Sequence, residues 1–257
     1  MNWPIFVISL PIAEKRRKAI STALTDLGLS FEFVDAIDGR ASLPPQYEGF
    51  IDRDKARIEM GRNLTDGEFA CALSHQKVYK ILLDREIPRA IILEDDAIPL
   101  TGFKSFLDQN GPEAADLILF DYNRVRIWRK PAKLSFGGIS LHPVVSNPFL
   151  TTGYSVSYHG AEYLRANSFP ITRPADWPCD IVRLGAHITI PRLIDHPEDK
   201  STNSYLEQDR KALEQDRKAA RAQMSLNKPA RYKRFGKKAY WVKWIKKRLS
   251  VELKQPR

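Results

Sequence analysis

The segment from Arg89 to Ala97, R-A-I-I-L-E-D-D-A, constrains the fold more than any other stretch. Ala90 to Leu93 is an unbroken apolar run without the polar alternation of a half-solvated strand. Such a run fits a strand buried on both faces, as in a parallel sheet. Three carboxylates follow, Glu94, Asp95 and Asp96. Open α/β sheets place their ligands at the carboxyl ends of the strands. Adjacent acids repel one another and are costly to desolvate, and a hard divalent cation relieves both problems. In an extended chain Glu94 and Asp96 point one way and Asp95 the other, so Glu94 and Asp96 are expected to share one metal–phosphate site. The competing reading is a solvated acidic loop after a strand.

The flanking elements favour a ligand site. Pro4 to Leu10 reads as a first buried strand. Pro11 opens a predicted helix in which Ile20, Ala23, Leu24 and Leu27 fall on one face, with Gly28 as its stop. Phe31 to Ala36 is a second strand, followed by Asp38-Gly39, which completes a β–α–β opening of nucleotide-binding type. The basic cluster around Arg16 and Arg17 lies in the first turns of that helix, where a diphosphate can bind; a solvated basic face is the alternative. No glycine-rich phosphate loop of Walker or Rossmann type is present.

Thr65-Asp66-Gly67-Glu68 is a capping box, and its helix is predicted to run through Leu83 with Ser74 and His75 in its middle. A short helix from Phe103 to Asn110, a strand from Leu117 to Phe120 closed by Asp121, a loop or hairpin over Arg124 to Lys130, a strand within Phe149 to Tyr158 and a helix from Gly160 to Ala166 follow. Gly153 is expected to let the backbone approach a ligand closely. Pro178 suits a helix start, which puts Asp176 near the N-cap. His187 to Ile194 reads as a pair of short strands before the loop carrying His196.

A chain of 257 residues with 43% hydrophobic content fits one α/β domain plus an appendage. No apolar stretch is long enough to span a membrane, and the start lacks the features of a signal peptide. The cysteines, Cys71 and Cys179, have no metal-ligand spacing, so free thiols in a reducing cytoplasm are expected. Net charge is +10 but uneven: Lys228 to Arg257 holds 12 Lys/Arg against 1 acid, leaving the rest close to neutral. A body so balanced argues against nucleic acid as the partner of the fold itself. The division expected is a domain over residues 1–203 and a charged helical extension over 204–257. Within the extension the heptapeptide L-E-Q-D-R-K-A occurs twice, from Leu206 and from Leu213, too few heptads to fix an oligomeric state. Tyr240, Trp241, Trp244, Ile245 and Leu249 then share a helical face, with Lys243, Lys246 and Lys247 largely elsewhere. That pattern suits an anionic membrane surface; docking on the domain is the alternative.

Several of these pieces occur together in one family. Phe6-Val-Ile-Ser-Leu with Arg16-Arg17, Phe33-Val-Asp-Ala-Ile-Asp-Gly39, Leu64 to His75, Ile92 to Asp96 and Thr152-Gly-Tyr154, in this order, resemble the glycosyltransferase family 25 enzymes that build lipooligosaccharide in Gram-negative bacteria. The resemblance implies a GT-A-like, Rossmann-like mixed sheet, a UDP-sugar donor, Mn²⁺ or another divalent cation, and inverting transfer of galactose or glucose. It implies Glu94, Asp96 and, more loosely, His196 as metal ligands, and Asp176 as general base with Asp180 in reserve. Ser9, Arg16, Arg17, Asp35, Asp38, Ser74, His75, Asp95, Gly153 and Tyr154 would then line the donor. The setting would be cytoplasmic, peripheral to the inner face of the membrane, with no nucleic acid bound. Two other classes remain open on the residues alone: a nucleic-acid binder using the aromatic basic tail, and a metal-dependent phosphohydrolase using the same acids.

Overall fold

The computed structural model describes residues 3–130, 132, 134–197 and 238–253. Its first strand, β1 (Ile5–Ser9), is buried along its whole length and lies between two parallel neighbours, β2 (Glu32–Asp35) and β3 (Arg89–Glu94). Because side chains alternate across a strand, β1 and β3 feed two separate cores. Phe6, Ile8, Ala90 and Ile92 face one, and Ile5, Val7, Ile91 and Leu93 face the other. The unbroken apolar runs therefore reflect a strand covered on both sides.

Helices supply the covers. On one face lie α3 (Asp66–Asp84), through Val78, Tyr79 and Leu82, and α5 (Tyr158–Ala166), through Ala161 and Leu164. On the other lie α1 (Glu14–Asp26), through Ile20 and Leu24, and α4 (Phe103–Asp108), through Phe103, Phe106 and Leu107. The capping box at α3 is present as expected: Thr65 accepts from the Glu68 N–H, and Glu68 returns a bond to the Thr65 N–H. Between β2 and α3 the chain folds over a third apolar cluster through Leu43, Leu64, Phe69 and α2 (Arg53–Met60). Gly39 permits this: a Cβ there would sit 2.4 Å from the Asp66 carbonyl oxygen.

The sheet is mixed. Among the described residues it has ten strands, in the path β12-β6-β8-β10-β5-β9-β3-β1-β2 with β7 (Leu134–Phe136) beside β8 (Ile139–Ser146). β9 (Gly153–Ser157) runs antiparallel to both β3 and β5 (Leu117–Leu119), so β5 is parallel to β1, β2 and β3. β10 (His187–Ile190) continues in that direction beside β5. A two-stranded ribbon, β4 (Ile98–Pro99) with β11 (Ile194–Asp195), crosses near the strand ends.

β12 (Ser250–Leu253) pairs antiparallel with β6 (Val125–Trp128), and α6 (Lys238–Leu249) leads directly into it. Part of the stretch read as an extension thus joins the main sheet. The repeated heptapeptide lies outside the described residues. No described helix is long and apolar enough to cross a membrane. Pro178 opens no helix; residues 178 and 179 form a bend, with Trp177 before it at φ 58° and its ring buried.

Candidate active site

The parallel arrangement brings four chain segments to one edge of the sheet. Ser9 ends β1, Asp35 ends β2, Glu94 ends β3, and Asp121 follows β5 by two residues. Thr151 and Thr152 enter from the start of β9, and Arg192 and His196 come from the segment after β10. This is the edge at which α/β sheets hold ligands.

The three acids after β3 do not alternate as an extended chain would. The strand stops at Glu94, and the Ala97 N–H bonds the Glu94 carbonyl at 3.1 Å, closing a turn. The carboxylates accordingly take three environments, which corrects the expectation that Glu94 and Asp96 project together. Glu94 Oε1 accepts from Thr151 Oγ1 at 2.7 Å and meets His75 Nε2 at 3.2 Å. Burial works against its charge, but these bonds outweigh it and hold the pKa below the usual carboxylate value. Asp95 accepts from Ser9 Oγ at 2.6 Å and pairs with Arg16 at 3.2 Å, although burial still raises its pKa. Asp96 has a buried oxygen, Oδ1, with no hydrogen-bond partner among the described residues. Burial first, and then the charges of Glu94 and Asp95, push the Asp96 pKa up to about 7.

His75 is itself held. Its Nδ1 lies 2.8 Å from Tyr154 Oη, which in turn lies 2.8 Å from Tyr79 Oη. Both ring nitrogens are therefore engaged. Although Cys71, His75 and Glu94 place ligand-type atoms within 4.8 Å of one another, His75 has no lone pair to spare for a metal. Tyr154 is fully buried, with Trp177 against its ring at 5.2 Å between centroids. His75 and Tyr154, expected on the donor, are both buried; His75 bonds Glu94 directly, and Tyr154 reaches it only through His75.

A second cluster lies beyond Asp96. Asp121, with a fully buried side chain, accepts from His196 Nδ1 at 2.7 Å and from Arg192 at 2.9 Å; Arg192 also reaches Asp195 at 2.8 Å. The Asp121 carboxylate holds the His196 imidazole above its usual pKa, against the effect of burial. Burial alone would raise Asp121, but His196 and Arg192 hold it low. With Nδ1 tied to Asp121, the other nitrogen, Nε2, is the one His196 can present to a ligand. Asp121, Asp195 and His196 also place ligand-type atoms within 4.8 Å of one another, but Arg192 already bonds an oxygen of each carboxylate.

The remaining expected residues divide. Arg17 spans the ends of β1 and β2, donating to Ser9 and Leu10 and pairing with Asp35. Asp38 is paired with Arg40. Ser74 is consumed by structure, accepting from the Ile37 N–H and donating to the Ala70 carbonyl. Gly153 does allow close approach, but of Ile194, whose side chain lies 2.8 Å from where a Cβ would stand. Asp176 Oδ1 accepts from the Leu150 N–H at 3.1 Å, next to the Thr151 that bonds Glu94. Asp180 faces away, half-exposed, against Arg183 and the Val182 N–H.

The sequence reading missed Asp121, Thr151, Tyr79 and Arg192 as parts of the site. A signal existed for two of them. Asp121 closes an apolar run just as Glu94 does, and Tyr79 lies four residues after His75 on one helical face.

Residues 2–180 match the family described as glycosyltransferase family 25 (LPS biosynthesis protein). This chain belongs to glycosyltransferase family 25. Its relatives in that family include the procollagen galactosyltransferase 2 of Homo sapiens, 28% identical over 186 residues, which cover 67% of this chain and 29% of that one. A putative glycosyltransferase of Haemophilus influenzae is 26% identical over 79% of this chain and 75% of its own length. An inactive glycosyltransferase 25 family member 3 of Mus musculus is 26% identical over 81% of this chain and 35% of its own. The chain thus spans about a third of the length of its animal relatives. Family 25 members with and without activity share this degree of likeness, so the acids at the sheet edge matter more than the overall match.

Proposed function

We propose that this chain is a divalent-cation-dependent inverting glycosyltransferase. It moves a hexose, galactose first and glucose second, from a UDP-sugar to a hydroxyl of a lipooligosaccharide-type acceptor. The observation that carries the reading is the unpartnered buried oxygen of Asp96, set among two further acids and His196 at the carboxyl edge of a family 25 sheet. Galactose is favoured by the name of the human relative, and the acceptor class by the description of the family.

Asp96 offers a hard cation an oxygen that lacks another partner, with the charges of Glu94 and His196 nearby. Glu94 Oε2 and His196 Nε2 are the atoms free to turn toward the ion, since Glu94 Oε1 is taken by His75 and Thr151 and His196 Nδ1 by Asp121; the three residues do not form one of the clusters whose ligand-type atoms already lie within 4.8 Å of one another. When bound, the cation neutralises charge on the departing diphosphate. Arg16, paired with Asp95 at the same edge, adds a positive group on the diphosphate side. Asp176 takes the proton of the acceptor hydroxyl as its oxygen attacks C1 of the sugar. The C1–O bond to the diphosphate breaks on the opposite face, and UDP leaves with the bonding pair. Tyr79, Tyr154 and His75 keep the Glu94 carboxylate aimed while these charges shift.

The test is transfer from a panel of UDP-, GDP- and CMP-sugars with Mn²⁺, alongside thermal shift with the same donors. Wild-type protein should be stabilised by a UDP-hexose only when Mn²⁺ is present. Asp96→Asn should lower transfer at least about a thousandfold while leaving the fold intact. Normal turnover by that variant, or equal activity in chelator, overturns the assignment.

A further inference from the structure

We infer that α6 is a docking element for an anionic lipid surface, bolted rigidly to the far edge of the catalytic sheet. The helix exposes Trp241, Val242, Trp244, Ile245 and Leu249, each between 44% and 54% accessible. At about 100° per residue these five fall on one side of the helix. Lys246 and Lys247 lie away from that side, and the Arg248 guanidinium rests 5.3 Å from the centre of the Trp244 ring. Docking of the helix on its own domain would cover these apolar groups; joined to the sheet, they stay near half-accessible.

The mount is specific. The Lys246 carbonyl accepts from Ser250 Oγ, the Lys247 carbonyl from Arg126 and the Leu249 carbonyl from the Arg129 N–H. Arg126 also binds Ser250 and Glu252 in β12. Three of the four orphan carbonyls of the helix end are thus satisfied from β12, β6 and the residue after β6, which ties the end of α6 to the sheet.

Charge selects the occupant. The segment Lys228 to Arg257 carries 12 Lys/Arg and 1 acid, whereas the rest of the chain is near neutral. Indole rings beside cationic side chains on a short helix match the boundary between lipid headgroups and acyl chains. An anionic bilayer satisfies both halves of the helix at once, and basic side chains near it add to binding.

Vesicle co-sedimentation of the full chain tests this. The vesicles are phosphatidylcholine alone or phosphatidylcholine with phosphatidylglycerol, and tryptophan emission is followed in parallel. Binding to the anionic vesicles, a blue shift, and weakening by salt are expected. Lys246→Gln with Lys247→Gln should lower partitioning roughly thirtyfold. Trp241→Ser with Trp244→Ser should lower it about tenfold or more. Circular dichroism melts check that both variants fold. Equal binding to both vesicle types, or no response to either double variant, overturns the inference. So does self-association that buries the tryptophans without lipid, or salt-sensitive capture of an oligonucleotide with no vesicle binding. Neither readout involves sugar transfer, so loss of the catalytic reading leaves this result standing.

Discussion

Asp96 shows how a single residue can be selected against stability. Its ordinary pKa is 3.8, and in the folded chain burial and two neighbouring acids move it to about 7. Below 3.8 both folded and unfolded chains hold the proton. Between 3.8 and about 7 only the folded chain does, so stability declines as pH rises through that window and levels above it. A bound cation replaces the proton and removes the penalty. Melting temperature measured from pH 5 to pH 8 should therefore fall without Mn²⁺ and fall less with it. Asp96→Asn should flatten the metal-free profile, raise the melting temperature at pH 8, and lose the response to Mn²⁺. A variant that still responds to Mn²⁺ would place the cation elsewhere. At the same scale, the roles of His75 and Tyr154 were only half legible. Their residue types pointed to the site, but their burial and the hydrogen-bonded chain that links them to Glu94 are not displayed by sequence.

Among the elements, those with strong local signals were legible. The capping box set the start of α3, and the apolar runs set β1 and β3, because each follows from local propensity and burial. The turn at Ala97 was not legible, since nothing in E-D-D distinguishes a continued strand from a tight reversal. β8 was also missed: Pro143 interrupts its pattern, and although β7 pairs with it locally across Gly137-Gly138, its place in the main sheet depends on β10, more than forty residues away. Gly153 was read as a ligand contact because its neighbour across the fold, Ile194, lies in a distant part of the chain. The cap on α3 has a measurable weight. Glu68, which answers Thr65, is also clamped by Arg62 at 2.6 Å to both oxygens. Thr65→Ala should cost about 1–2 kcal/mol in denaturant unfolding, and activity per folded molecule should change little. Because α3 carries His75, a large loss of turnover at full folding would instead mean that the cap tunes the site.

Across the whole molecule, the acids and bases collect at one edge because β1, β2, β3 and β5 all point there. The opening β–α–β pattern gave this direction for β1, β2 and β3. β5 inherits it only through the antiparallel β9 between them, which is why Asp121 escaped notice. The far side of the sheet is finished by β12, separated from its partner β6 by over a hundred residues. Deleting everything after Lys228 would thus remove a sheet strand as well as a basic tail. Such a truncation should show lower thermal stability and concentration-dependent aggregation by light scattering, because the backbone edge of β6 is left open. A truncated protein that stays monodisperse with an unchanged melt would show that β12 contributes nothing to the sheet.

That last pairing also orders events during synthesis. β6 leaves the ribosome long before β12 exists, and its outer hydrogen-bonding groups must wait in water or in the care of a chaperone.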